Sequence, residues 1–260
     1  MSAQEIAAAV GTSDATVVRT AKSLGYGSLR ELRRSLAGPD DDVDLSMRLQ
    51  ATIGGSASAH DVLATAVDRQ LQALDTLLRR VPAADFDAAA AVLSGAAHVW
   101  WCGTGPSAYL AQYAAFLCRR HGRPSGSLTH SGADHADELL ALRAEDAVVV
   151  LAYGRVHPHV RVLLRRAADI GAPVVLVTDT LGRKLPSPVM VELHAGRGAP
   201  GLFATHGSTM VLLEALVLAM AAADPEGSSA ALATLNDLRR SIAGKRLDVD
   251  PETRRRSVAD

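Results

Sequence analysis

Aromatic residues are scarce, at 3% of the 260-residue chain. The 48% that is hydrophobic must therefore pack chiefly as Ala, Val and Leu. Cysteine is nearly absent: Cys102 and Cys118 stand alone, each in apolar surroundings. Two such residues make neither a disulfide framework nor a metal-ligand pattern, and they fit a reducing cytoplasm. Charge of one sign is missing as well. The net charge is -1, so the whole molecule does not attract a polyanion and any nucleic-acid surface must be local. No apolar run reaches the roughly 18 residues of a membrane span. AEDAVVVLAY has the length of a buried strand, and MVLLEALVLAMAAA is interrupted by Glu214. The start, MSAQEIAAAV, lacks the basic region and long apolar core of a signal peptide. The expectation is a soluble cytoplasmic protein with no membrane partner.

What is present falls into four stretches: 1–37, 38–94, 95–225 and 226–260. In the first, Ala3, Ile6, Ala7 and Val10 share one face of a short helix, which Gly11 ends. Ser13 is a natural N-cap for a second helix, and Asp14 suits the positive end of its dipole. Val17, Ala21 and Leu24 recur at i, i+4 and i+7 as its apolar stripe. A third helix is expected over 28–37, with Leu29, Leu32 and Leu36 inward. GPDDDVD then reads as a solvated linker, and GGSAS as a flexible stretch. Helices follow over about 60–81 and 83–94. From 98 onward strands and helices alternate. The strand candidates HVWWCG, SGSLT, AEDAVVVLAY, PVVLVTD and PVMVELHA are mostly continuous apolar runs, which implies burial on both faces. The fold class is α plus α/β: a three-helix unit, linker helices, then a doubly wound five-stranded parallel sheet flanked by helices. Residues 226–260 add a helix and a frayed tail.

Two short helices joined by a Gly-Thr-Ser turn and supported by a third make a helix-turn-helix, whose second helix enters the major groove of DNA. Its polar side would carry the contacts. Arg19 and Lys22 reach phosphate or guanine, Ser13 and Thr16 hydrogen-bond bases or phosphates, and Asp14, Thr20 and Ser23 complete the face. Residues 1–37 hold five cations against three acids, a local charge of +2. The expected partner is a double-stranded DNA operator read by a homodimer or homotetramer.

This stretch resembles the N-terminal domain of the RpiR family of transcriptional regulators. The likeness lies in Ser2-Ala3, Glu5-Ile6-Ala7, Gly11 with Ser13, Ala15 to Arg19, Leu24 to Tyr26 and Leu29 to Arg33. Family members carry further helices ahead of this segment, so the resemblance implies a trimmed DNA-binding head.

GTGPSA, at 103–108, follows a strand and opens a helix. Its glycines let the backbone approach an anion, and the helix start offers free N–H groups and a positive dipole end. Ser107 adds a hydroxyl. The same letters fit a dinucleotide fingerprint, but SLTHSG supplies no acid for a ribose before Asp134, so NAD ranks low. Residues from about 98 to 223 resemble a sugar isomerase (SIS) domain, the usual partner of an RpiR-type head. The resemblance implies that Gly103, Thr104, Gly105 and Ser107 cradle the phosphate of a phosphosugar. The second SIS loop, rich in Ser and Thr, is here LAYGRVHPH. Gly154 is retained, while Ala152, Tyr153 and Val156 stand near the hydroxyl positions. Arg155 and His157 could replace those hydroxyls with cationic donors, and Ser208 opens the last helix at the same edge. His157 and His159 would point to opposite sides if extended. No histidine pair has a zinc spacing, so no metal and no cofactor is expected.

The leading expectation is a regulator that senses a phosphosugar or related anion, with the 60–81 helix as relay, and not an enzyme. The alternatives are an isomerase, with Glu214 and His206 as acid and base, and a module that only oligomerises.

Overall fold

The computed structural model describes residues 6–7, 11–23, 29, 45–154, 156–179, 185–198 and 201–243. The helix expected over 28–37 (save residue 29), the linker 38–44, the tail past 243 and most of the first helix lie outside the described residues. Helix α1 (Asp14–Ser23) begins where its cap predicts. Ser13 Oγ accepts the Thr16 N–H at 3.2 Å, and Asp14 sits in the first turn. Val17, from the expected stripe, is buried.

Helix α2 (Leu45–Ile53) is an addition to the expected elements. Its pattern hides it: Leu45, Met47, Leu49 and Ile53 are exposed, and the buried side chain is Arg48. Gly55, at φ +87, stops it. Helix α3 (Ala59–Arg80) is capped by Ser58, whose Oγ accepts the Asp61 N–H, and closes on Arg79 and Arg80 at the negative end of its dipole. Helix α4 (Ala83–Gly95) follows Pro82.

The expected five strands all form: β1 (Val99–Cys102), β2 (Ser125–Leu128), β3 (Ala147–Leu151), β4 (Val174–Thr178) and β5 (Val191–His194). They pair in parallel in the order β2-β1-β3-β4-β5. Helices α5 (Pro106–Arg120), α6 (Ala133–Leu140), α7 (Pro158–Ile170) and α8 (Gly207–Ala223) cover the sheet, and α9 (Pro225–Ala243) follows. Alternate residues of each strand feed two separate cores. On one side Val99, Trp101, Val149, Leu151, Val175, Val177 and Leu193 meet α4, α5 and α8. On the other, Val148, Val150, Val174 and Leu176 meet α6 and α7. This is why the strands read as unbroken apolar runs. The two cysteines fall in different layers, Cys118 in the first and Cys102 in the second, and both are free. Burial pushes their thiols up to about 11 and about 12.

SGSL is weakly strand-forming, yet it pairs in register with β1, Trp100 opposite Gly126. The missing side chain is the reason. A Cβ at Gly126 would lie 2.5 Å from Cζ3 of Trp100. The indole is anchored by its Nε1–H, donated to Asp146 Oδ2 at 3.0 Å. Gly126→Ala is therefore expected to lower stability by about 1–3 kcal/mol through overpacking. Urea denaturation measures it, and Trp100→Ala in the same chain should recover part of the loss.

Candidate functional site

In a parallel sheet the strands all end at the same edge, and ligands bind there. Five loops meet at this edge. After β1 the chain turns so tightly that a Cβ on Gly103 would lie 2.4 Å from the Ser107 carbonyl oxygen. Gly105 holds φ +55 and ψ -131, a conformation open to glycine, and Pro106 then fixes the first turn of α5. Ser107 is buried under this turn. The expected cradle of Gly103, Thr104, Gly105 and Ser107 is thus one rigid strand-to-helix corner.

The loop after β2 is tied down by one carboxylate. Glu138 on α6 accepts the N–H groups of Thr129 and His130 at 3.2 and 3.3 Å. It also bonds His130 Nδ1 at 2.6 Å, which raises the pKa of that exposed imidazole. Buried His135 places its Nε2 3.2 Å from the His159 carbonyl.

After β3, Gly154 (φ +63) turns the chain and donates its N–H to Asp179 Oδ1 at 3.1 Å. Arg155 lies outside the described residues. His157 and His159 do not diverge as an extended chain would have them. Pro158 opens α7 between them, so the two rings stack, 5.6 Å apart and 14° from parallel. Among the described residues no group of three or more His, Cys, Asp or Glu could hold a metal ion.

The middle of the edge is filled by groups from three loops. Arg197, after β5, grips Asp179, after β4, through Nε and Nη2 at 3.0 and 2.9 Å. Its guanidinium lies over the Tyr153 ring at 4.7 Å. Tyr153 shares a 2.7 Å hydrogen bond with Thr209 Oγ1, and burial pushes its phenol well above the usual range. His206 packs edge-on against Tyr153 at 5.2 Å. Burial, assisted by the Arg197 charge and opposed by Asp179, holds His206 down to about 4. Ser208 is buried and donates its hydroxyl to the Gly196 carbonyl, joining the start of α8 to the end of β5.

No family model and no curated protein sequence matches this chain. Solved structures do match. The sugar isomerase domain of an RpiR transcription factor from Sphaerobacter thermophilus has a TM-score of 0.62 at 21% identity. It covers 68% of this chain and 98% of its own. NanR from Vibrio vulnificus, solved with ManNAc-6P, has a TM-score of 0.59 at 18% identity and covers 93% of this chain and 86% of its own. The protein c3406 of Escherichia coli CFT073, solved with a phosphosugar, has a TM-score of 0.55 at 20% identity, covering 65% and 94%.

The sheet and its helices have the SIS fold.

Within this SIS domain the residues expected from sequence sit at one edge. β1 and β3 are neighbours, so the 103–107 corner and Gly154 end adjacent strands. His157 starts α7 and Ser208 starts α8. The acid and base of the isomerase alternative are separated. Glu214 bonds Tyr113 OH at 2.7 Å, and eight residues of helix set it about 12 Å along the axis from His206. Three central groups escaped the sequence reading: Tyr153 as a filler, Asp179 and Arg197. Asp179 was visible as an acid ending an apolar strand. Arg197 gave no local signal.

On α1, Ser13, Asp14, Arg19 and Thr20 are exposed and Thr16 is half-buried. Thr16 Oγ1 bridges Ser13 Oγ at 2.9 Å and an Arg19 guanidinium nitrogen at 3.5 Å. The side chains of Lys22 and Ser23 lie outside the described residues. No single helix among the described residues is long and apolar enough to cross a membrane.

The lowered His206 pKa predicts an acid-sensitive fold. The unfolded chain takes up this proton near pH 6.5, the folded chain only near 4. This contribution is complete above pH 6.5 and is lost as pH falls from there toward 4. His206→Gln should flatten that part of the stability–pH curve, read by urea midpoints across the window.

Proposed function

We propose that the chain is a DNA-binding transcriptional regulator whose SIS domain senses a phosphosugar or a related anionic carbohydrate derivative. The 103–107 corner carries this reading. Glycine at 103 and 105 brings backbone N–H groups and the positive start of α5 to one exposed point, which suits a phosphate. Two of the solved neighbours hold phosphosugars, ManNAc-6P in one of them, in keeping with such a ligand. The ManNAc-6P complex is of a protein that aligns over 93% of this chain, beyond the SIS domain alone.

The second loop favours a ligand different from those held by hydroxyl-rich loops. Tyr153 fills that position with a ring, and Arg197 is the cation beside it. Asp179 neutralises Arg197, so the site is polar rather than strongly cationic. Engagement of Glu214 by Tyr113, away from His206, speaks for sensing over isomerisation. An exposed polar face on α1 is the proposed DNA surface, and two or four copies supply two heads to an operator.

The linker helices are placed to relay occupancy. Thr52 Oγ1 of α2 accepts the Phe203 N–H at 2.7 Å, and Gln70 of α3 donates to Thr205 Oγ1 at 2.9 Å. Both contacts hold the segment between Arg197 and His206. A ligand that favours one arrangement of that segment thereby favours one arrangement of α2 and α3.

Two measurements test the reading. A thermal-shift panel of sugar phosphates should raise the melting temperature for at least one, and Ser107→Ala should weaken that ligand by about 1–2 kcal/mol, as loss of a hydrogen bond to a charged group does. No shift across the panel would leave only an oligomerisation module. Fluorescence anisotropy with duplex DNA from the neighbouring genome should show binding that weakens steeply with salt. Arg19→Ala should abolish it with the fold intact. Unchanged affinity would remove Arg19 from the DNA face.

A further inference from the structure

Helix α8 has no polar side. Between Gly207 and Ala223 its one charged residue is Glu214. A helix that is apolar all round is normally enclosed, yet Val211 and Leu218 are exposed on its outer side, at 42% and 62%. Glu214, on the same strip, is occupied by Tyr113 of the adjoining α5. That contact makes the strips on the two helices one surface.

Helix α5 adds aromatic rings to it. The chain has only three Phe and four Tyr residues. Tyr109, Tyr113 and Phe116, spaced i, i+4 and i+7, stand exposed at 75%, 37% and 48%. From Pro106 to Cys118 the helix carries no charge. Aromatic enrichment with charge depletion is the composition of an interface core. Across the start of α8 lies α3, with Gln70 seated where a Cβ of Gly207 would be. Leu63, Val67, Leu71 and Leu78 are exposed along it. Weighted by these exposures, the three strips offer on the order of 800 Å² of apolar side chain, about what each partner gives to a stable interface.

We infer that the face made by α8, α5 and α3 is covered by the same face of a second copy of this chain. The area is right for a dimer. The one acid on the face is already hydrogen-bonded within its own copy, so a twofold partner brings no unpaired charge against it. A nucleic acid or a charged peptide would find nothing there to pair with. The inference names the surface for the two-copy arrangement proposed above and rests on that arrangement. Its measurement needs neither DNA nor effector, so it can fail while DNA binding and sensing both stand, and the reverse.

The test is sedimentation equilibrium of the full chain at micromolar concentration. The wild type should have the mass of a dimer or a dimer of dimers. Tyr109→Glu with Phe116→Glu should weaken association about a hundredfold or more, since like charges then face one another. Val162→Glu, at an exposed site on α7 across the sheet, should leave association unchanged. Hydrogen exchange on the wild type gives a readout free of any variant. Dilution should speed exchange in 109–118 and 210–218 and leave 160–170 as it was. A monomeric wild type overturns the inference. So does a dimer indifferent to both the double variant and dilution of these segments, or a monomer that floats with phosphatidylglycerol vesicles.

Discussion

A parallel sheet closed on both faces is the constraint on which the rest of this molecule depends. Each parallel connection must cross over the sheet through a helix. Here the crossovers fall on both sides, leaving Val149 in one core and Val148 in the other, both fully enclosed. With every strand running the same way, each must release its loop at the same edge. The glycine corner after β1, the Tyr153 loop after β3 and Arg197 after β5 converge there for that reason. Little in the loops themselves brings them together.

The edge is held less by hydrophobic contact than by an ordered set of polar groups. Asp179 accepts from a backbone N–H and from a guanidinium whose flat face rests on a tyrosine. Tyr153 in turn uses its hydroxyl on Thr209, beside the imidazole of His206. Such a network is costly if any member is left unsatisfied. It makes the centre of the site stiff, while the glycine corner stays exposed and ready for an anion. Stiffness there also gives α2 and α3 something firm to bear on, through Thr52 and Gln70.

How much of this could be read in the chain depended on the range over which each signal acts. The strands AVVVL and VVLVT announce themselves, because double burial is written into consecutive residues. Ser13 announces α1 and Gly103-Thr104-Gly105 the corner, because capping and tight turns are local. Helix α2 stays hidden because its apolar residues point outward and its buried residue is an arginine. Asp179 and Arg197 are separated by 18 positions and meet only once β4 and β5 lie side by side. The stacking of His157 on His159 depends on Pro158 starting a helix between them, which an extended reading of the loop misses. Local chemistry was legible, and chemistry assembled by the crossovers was not.

The two thiols carry a consequence of their own. Cys102 and Cys118 are fully enclosed, on opposite sides of one sheet, and each is deterred from ionising by its surroundings. They cannot reach each other, so an oxidant has no shortcut to a covalent lock. An alkylating reagent can reach either one only when its own layer parts. The chain thus comes equipped with a pair of natural clocks, one ticking for the breathing of each helical layer.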